Sequence, residues 1–263
     1  MRYFISISYR GAHYCGWQIQ KNGPSIQEEM ERALSILLGC ATSVTGAGRT
    51  DAGVNAVNFI AHFDSCVECL LTSDPMEFIY KMNAILPPDI TVNNVYRVAD
   101  DAHARFDATS RTYQYFVHTV KDPFAAEFSY PFYREVNLEL MNAAAGHLLI
   151  RGDFSSFEKL HGGNTSSVCT VTRARWERSL NGTMTTAGGD NRLVFTISAN
   201  RFLRNMVRAI VGTLLEVGCG KRNPDSIPDL LEKKDRCSAG QSVPGNALFL
   251  TGIEYPYKLM SIL

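Results

Sequence analysis

Residues 46–64 read GAGRTDAGVNAVNFIAHFD. The first part, Gly46 to Ala56, is a glycine-punctuated loop that sets one carboxylate, Asp51, beside one guanidinium, Arg49. The second part alternates: Val57, Phe59, Ala61 and Phe63 fall at period two, which predicts a strand leaving the loop. Upstream, Pro24-Ser25-Ile26-Gln27-Glu28 supplies a Ser-x-x-Glu capping box. Ile26, Met30, Ala33, Leu34, Leu37 and Leu38 then recur at helical spacing until Gly39. Before that helix, Arg2 to Arg10 puts Tyr3, Ile5, Ile7 and Tyr9 on one side of a half-buried strand. Downstream, Asp74-Pro75-Met76-Glu77 opens a second helix bearing Phe78, Ile79, Met82, Ile85 and Leu86, ended by Pro87-Pro88, and Ile90 to Val98 reads as a further strand. Strand, helix, strand, helix, strand predicts helices packed on one face of a mixed sheet.

The remaining residues follow a similar order. Arg111 to Thr119 reads as a strand, Lys121-Asp122-Pro123 as a turn, and Leu138 to about Ile150 as a helix whose apolar face is Leu138, Met141, Ala145, Leu148 and Leu149. Strands are expected at Val168 to Trp176 and Leu193 to Ala199, joined by a polar loop containing Asn181-Gly182 and Gly188-Gly189. A long helix is expected from Arg201 to Val217, with Arg201, Arg204 and Arg208 in one stripe opposite Leu203, Met206, Val207, Ile210 and Leu214. A shorter helix near Asp225 to Lys233 and a strand from Ala247 to Glu254 close the chain. The expected class is α/β (α+β): two similar halves, 1–105 with the glycine loop and 106–263 with the arginine helix, each a mixed or antiparallel sheet with helices on one face.

Composition narrows the function classes. With 263 residues, 45% hydrophobic and 20% charged, the chain matches soluble globular proteins and is long enough to bury a substantial core. No stretch approaches the roughly 20 apolar residues of a membrane span. The alternating start lacks an apolar leader core and reads as a strand of a cytoplasmic protein. Seven scattered cysteines suit reduced thiols better than a disulfide framework. The lone Cys66-Val67-Glu68-Cys69 would need two more ligands to hold zinc, with only Cys40 or His62 near, so ordinary loop residues are the better reading. The six histidines form no metal-spaced pair. Net charge is zero, so any nucleic-acid footprint must be local. The strongest basic cluster is Arg201, Arg204, Arg208, Lys221 and Arg222 against the single acid Glu216, and 18 arginines outnumber 8 lysines.

From the residues alone, Asp51 is open to four readings: nucleophile, general base, metal ligand, or a turn aspartate bonded to nearby amides. The surrounding motifs add to them. Arg49-Thr50-Asp51-Ala52-Gly53-Val54 is followed by His103-Ala104-Arg105-Phe106 and Arg111-Thr112-Tyr113-Gln114-Tyr115. Tyr14-Cys15-Gly16-Trp17-Gln18, Asp153-Phe154-Ser155-Ser156-Phe157, Asn205-Met206-Val207-Arg208 and Val211-Gly212 accompany them. Over nearly its whole length the chain resembles the TruA family of tRNA pseudouridine synthases.

That resemblance implies a tRNA-modifying isomerase that acts without cofactor or metal on uridines 38, 39 and 40 of the anticodon arm. It also implies a cytoplasmic homodimer that shares each tRNA between subunits, with a catalytic cleft between the halves. By resemblance Asp51 is the nucleophile, Tyr113 lies by the target base and Arg208 pairs with the catalytic carboxylate. Arg49 would steer phosphate or that same carboxylate, and Arg105, Arg111, Arg201, Arg204 and Asn55 are candidates for RNA contact. Asn55 stands where the family usually has histidine, which puts a histidine-dependent RNA contact in question and motivates a rival reading, a non-catalytic tRNA-binding or folding protein. A second rival, a hydrolase with an aspartate nucleophile, would need a Mg²⁺ site, yet the next acid after Asp51 is Asp64.

Overall fold

The alternating start of the chain becomes strand β1, Arg2–Tyr9, in the computed structural model, which describes residues 1–65, 74–159, 166–178 and 191–261. The Cys66 and Cys69 pair and the polar loop at 181–189 lie outside the described residues. The chain divides into two units, Met1–Ser110 with Leu250–Leu263, and Arg111–Phe249.

In the first unit β1 lies between β3, Asn55–Asp64, and β4, Ile90–Arg97, antiparallel to both. Flanked on both sides and covered on both faces, this strand is shielded from water from Tyr3 to Ile7. Tyr3, Ile5 and Ile7 are therefore buried on one face and Phe4 on the other, where half-burial was expected. A two-residue strand β2, Thr45–Gly46, and the C-terminal strand β10, Leu248–Glu254, also pair with β3, giving the order β4, β1, β3, β10. The predicted caps close both helices. In α1, Ile26–Leu38, the Ser25 hydroxyl accepts the Glu28 amide at 3.2 Å, and Gly39 ends the helix at φ 70°. In α2, Pro75–Ile85, Asp74 accepts the Glu77 amide at 2.9 Å. Phe4 meets Ala47, Ile60, Ala102 and Ala104 in a small apolar cluster, joined by Ile253 and Tyr255 from the chain's return.

Alternation along β3 is interrupted at Asn58, which sits at φ 57° where the β1 register shifts between Ile7 and Tyr9. The extra residue of this bulge turns Val57 to solvent and leaves Phe59 to Phe63 buried without a break.

In the second unit β5 (Ser110–His118), β9 (Arg192–Ala199), β8 (Val168–Arg178) and β7 (Arg151–Asp153) form a consecutively antiparallel ladder, with the short β6 (Tyr130–Pro131) parallel to β5. Helix α3, Leu138–Gly146, packs on β8 and on α4, Met206–Gly218, while α5 spans Ser226–Lys233. Both units therefore combine antiparallel pairing with packed helices, the α+β class.

Two helices are shorter than their apolar spacing predicts. The first ends at Gly146, and a tight turn with the Ile150 amide on the Leu148 carbonyl leaves Leu149 and Ile150 exposed. The second begins at Met206, not Arg201. Asn205 adopts φ 66°, the Arg204 carbonyl accepts the Lys159 amide, and the Asn205 amide group donates to the Ser242 hydroxyl. Backbone committed to these tertiary bonds cannot extend the helix. The expected helical arginine stripe does not exist: Arg208 is on α4, and Arg201 and Arg204 precede it.

Candidate active site

The loop between β2 and β3 carries Asp51, and hydrogen bonds fix its backbone on both sides. At its root the Ala47 amide donates to the Ile60 carbonyl at 2.8 Å. Thr50 is buried, its hydroxyl 2.9 Å from the Tyr9 hydroxyl, and its carbonyl accepts the Trp17 amide at 3.3 Å. The Asp51 carbonyl accepts the Val54 amide at 3.1 Å, and the Gly53 amide donates to the Tyr14 carbonyl at 3.4 Å. The Tyr14 to Gln18 motif is therefore the platform against which the loop is clamped. The fit leaves no spare room: Gly16 sits at φ 98°, and a Cβ there would lie 2.3 Å from the Thr50 carbonyl oxygen. Asp51 is half-buried on this loop and Arg49 is exposed.

Asn55 is 2% exposed, and its Oδ1 accepts the Gly11 amide at 2.9 Å. A Cβ on Gly11 would meet the Val54 carbonyl oxygen at 2.2 Å, so the Gly11–His13 turn packs directly on the base of the loop. A side chain placed this way is bonded inside the protein.

A second loop of the same unit, His103–Ala108, carries Arg105, which is exposed. Its Ala104 amide donates to His62 Nδ1 at 3.2 Å, and the His62 and His103 rings meet edge to face at 4.7 Å. Burial, with help from Arg2 and His103, lowers the His62 pKa from 6.5 to about 4. Unfolded chains thus take up this proton before the folded protein does. The stability conferred is present above about pH 6.5 and is lost as pH falls toward 4. Between pH 7.5 and pH 5 the loss is about 2 kcal/mol. His62→Asn keeps an acceptor for Ala104 without the titration. In urea unfolding its drop between these pH values should be smaller than that of wild type by about this amount, and equal drops would contradict the assignment.

The other expected site residues belong to the second unit. Tyr113, on β5, is half-buried with its ring edge-to-face against Phe202 at 5.1 Å. Tyr115, two residues on, is fully buried and donates its hydroxyl to the Pro244 carbonyl at 3.0 Å, and burial raises its pKa. Arg111 donates to the Asn200 carbonyl at 2.7 Å. Arg208, in the first turn of α4, donates Nε to the Val243 carbonyl at 2.7 Å and is half-buried. Arg201 is half-buried and Arg204 exposed. Asp51, Arg49, Asn55 and Arg105 thus share the first unit, and Tyr113, Arg111, Arg201, Arg204 and Arg208 the second. The supporting roles of Tyr9, Gly11 and Thr50 escape sequence reasoning, whereas Gly16 and Trp17 fall within the Tyr14 to Gln18 motif. Among the described residues, no three His, Cys, Asp or Glu side chains are grouped to hold a metal ion, and no helix is long and apolar enough to cross a membrane.

Comparison with known proteins adds to this geometry. Residues 144–256 match the family model described as tRNA pseudouridine synthase. The chain is 50% identical to the tRNA pseudouridine synthase A of Bacteroides thetaiotaomicron over 99% of its length and 93% of the relative's. It is 43% identical to that of Porphyromonas gingivalis over 98% of each chain. With that of Bacillus subtilis it shares 37% identity over 97% of this chain and 99% of the relative.

Proposed function

The chain belongs to the tRNA pseudouridine synthase family and is an isomerase that converts uridine to pseudouridine in tRNA, and we propose that it acts on positions 38, 39 and 40 of the anticodon arm with Asp51 as nucleophile. The reaction breaks the bond from ribose C1′ to uracil N1, turns the base, and joins C5 to C1′, with C5 losing a proton and N1 gaining one. It is redox-neutral, and a carboxylate that adds to C1′ or C6 holds the fragments together meanwhile. The observation carrying this reading is the clamped loop: Asp51 is half-buried on a loop whose main chain is bonded to Trp17 and Tyr14 and whose Asn55 side chain accepts the Gly11 amide. Such a mount keeps a nucleophile in register with an extruded base.

In this reading Arg208 keeps the carboxylate ionised, Tyr113 stacks on the target base and takes part in removing the C5 proton, and Arg49, Arg105, Arg111, Arg201 and Arg204 meet phosphate. Asn55 is assigned to holding the loop, not to RNA, because its side chain is buried on the Gly11 amide. The substitution that motivated a non-catalytic binder is thereby accommodated within the mount, and family membership sets aside the hydrolase. The enzyme is expected to work as a cytoplasmic homodimer without cofactor or metal. The test is to map pseudouridine in unmodified tRNA after incubation in excess chelator. Conversion at 38, 39 and 40 alone is expected, and conversion elsewhere or a need for metal would overturn the reading.

A further inference from the structure

Phe106 is 75% exposed, yet the loop that carries it is among the most tightly bonded of the first unit. The His103 amide and the Tyr257 hydroxyl both donate to Asp107 Oδ2 at 2.7 Å. His103 Nδ1 lies 3.1 Å from the Arg105 amide and 3.2 Å from the Phe106 amide, and the Asp107 amide returns to the His103 carbonyl at 3.1 Å. Ala104 is tied at both ends, its amide to His62 and its carbonyl to the Tyr255 hydroxyl at 2.7 Å. These bonds set the backbone that presents the ring before any ligand arrives, so little ordering cost remains for a group that stacks on it. The ring is supported on one side by His103, at 4.2 Å between centroids, and the Arg105 guanidinium lies 5.6 Å from its centre.

The position fits the reaction. Ala104, two residues before Phe106, packs in one apolar cluster with Ala47, at the root of the Asp51 loop. A flat apolar surface beside a guanidinium matches a ligand with a π-face and a neighbouring negative charge, which is a nucleotide. Extruding a uridine also exposes the base that was stacked on it, and a rigid aromatic side chain is suited to cover it.

We propose that Phe106 is a base-stacking residue of the tRNA site, covering a base uncovered by extrusion while Arg105 meets the adjoining phosphate. The inference rests on the tRNA reading above but not on the identity of the nucleophile. The experiment titrates full-length tRNA into wild type, Phe106→Ala, Phe106→Leu and Phe106→Tyr, with turnover and sedimentation measured on the same samples. Because the ring is exposed, all four should melt alike. The alanine and leucine variants should bind tRNA about tenfold more weakly, with KM raised in step, and tyrosine should restore binding to within about twofold. Equal affinity for alanine and wild type would overturn the proposal, as would full rescue by leucine. Loss of the wild-type oligomeric state in Phe106→Ala would instead make this a protein–protein surface. Wild type that binds tRNA but leaves it unconverted would contradict the catalytic reading, while the binding series would still decide the role of Phe106.

Discussion

Asp51→Ala is expected to lower turnover by about 10⁴-fold or more, the scale seen when a covalent nucleophile is removed, and to leave tRNA affinity within a few-fold of wild type. The two halves of this expectation have separate causes. Chemistry is lost because no other carboxylate occupies the loop from Gly46 to Ala56. Affinity is kept because binding a folded RNA rests on many phosphate contacts, of which one small acid is no part. The fold should tolerate the change, since the loop is held by main-chain bonds at Thr50, Asp51 and Gly53 and by Asn55, all of which alanine leaves in place. Equilibrium binding and product mapping on the same preparation check both halves. An alanine variant that binds poorly would show instead that Asp51 maintains the loop.

Gly16→Ala should lower kcat on the order of 10²-fold, the penalty of moving a catalytic group by about 1 Å, with KM little changed. A Cβ there would lie 2.3 Å from the Thr50 carbonyl oxygen and 3.1 Å from the Asp51 carbonyl carbon, at a φ of 98° that disfavours any side chain. Both obstacles are backbone, so the loop itself must shift. Gly39→Ala is the matched control. It too has positive φ, 70°, but nothing lies within 4 Å of its Cβ, so it should lose about 1 kcal/mol of stability without changing kcat. If both variants lost kcat alike, general destabilisation and not loop position would be the cause.

Much of this molecule is legible where local chemistry decides. Ser25 and Asp74 cap their helices as their motifs predict, and Gly39 ends α1 in the left-handed conformation that C-terminal glycines adopt. What stays hidden is set by partners far along the chain. Residues 201–217 keep helical apolar spacing, but Lys159 and Ser242 take the backbone and side-chain bonds that stop the helix at Asn205. The bulge at Asn58 shifts a strand whose alternation looks regular, and the return of the C-terminal segment to the first unit has no local signal. In the site, the motif around Asp51 is readable through family resemblance. The inward turn of Asn55 is not, because its partner is the main chain of Gly11, whose amide any residue but proline would offer.

We assign metal-independent isomerisation of uridine in tRNA to Asp51, a claim on which the hydrogen at uracil C5 reports, because it must leave when that carbon bonds to C1′. With tRNA labelled by tritium at C5 and excess chelator present, wild type should release tritium while Asp51→Ala releases none although it binds the same tRNA. Release by the alanine variant at the wild-type rate would contradict the claim.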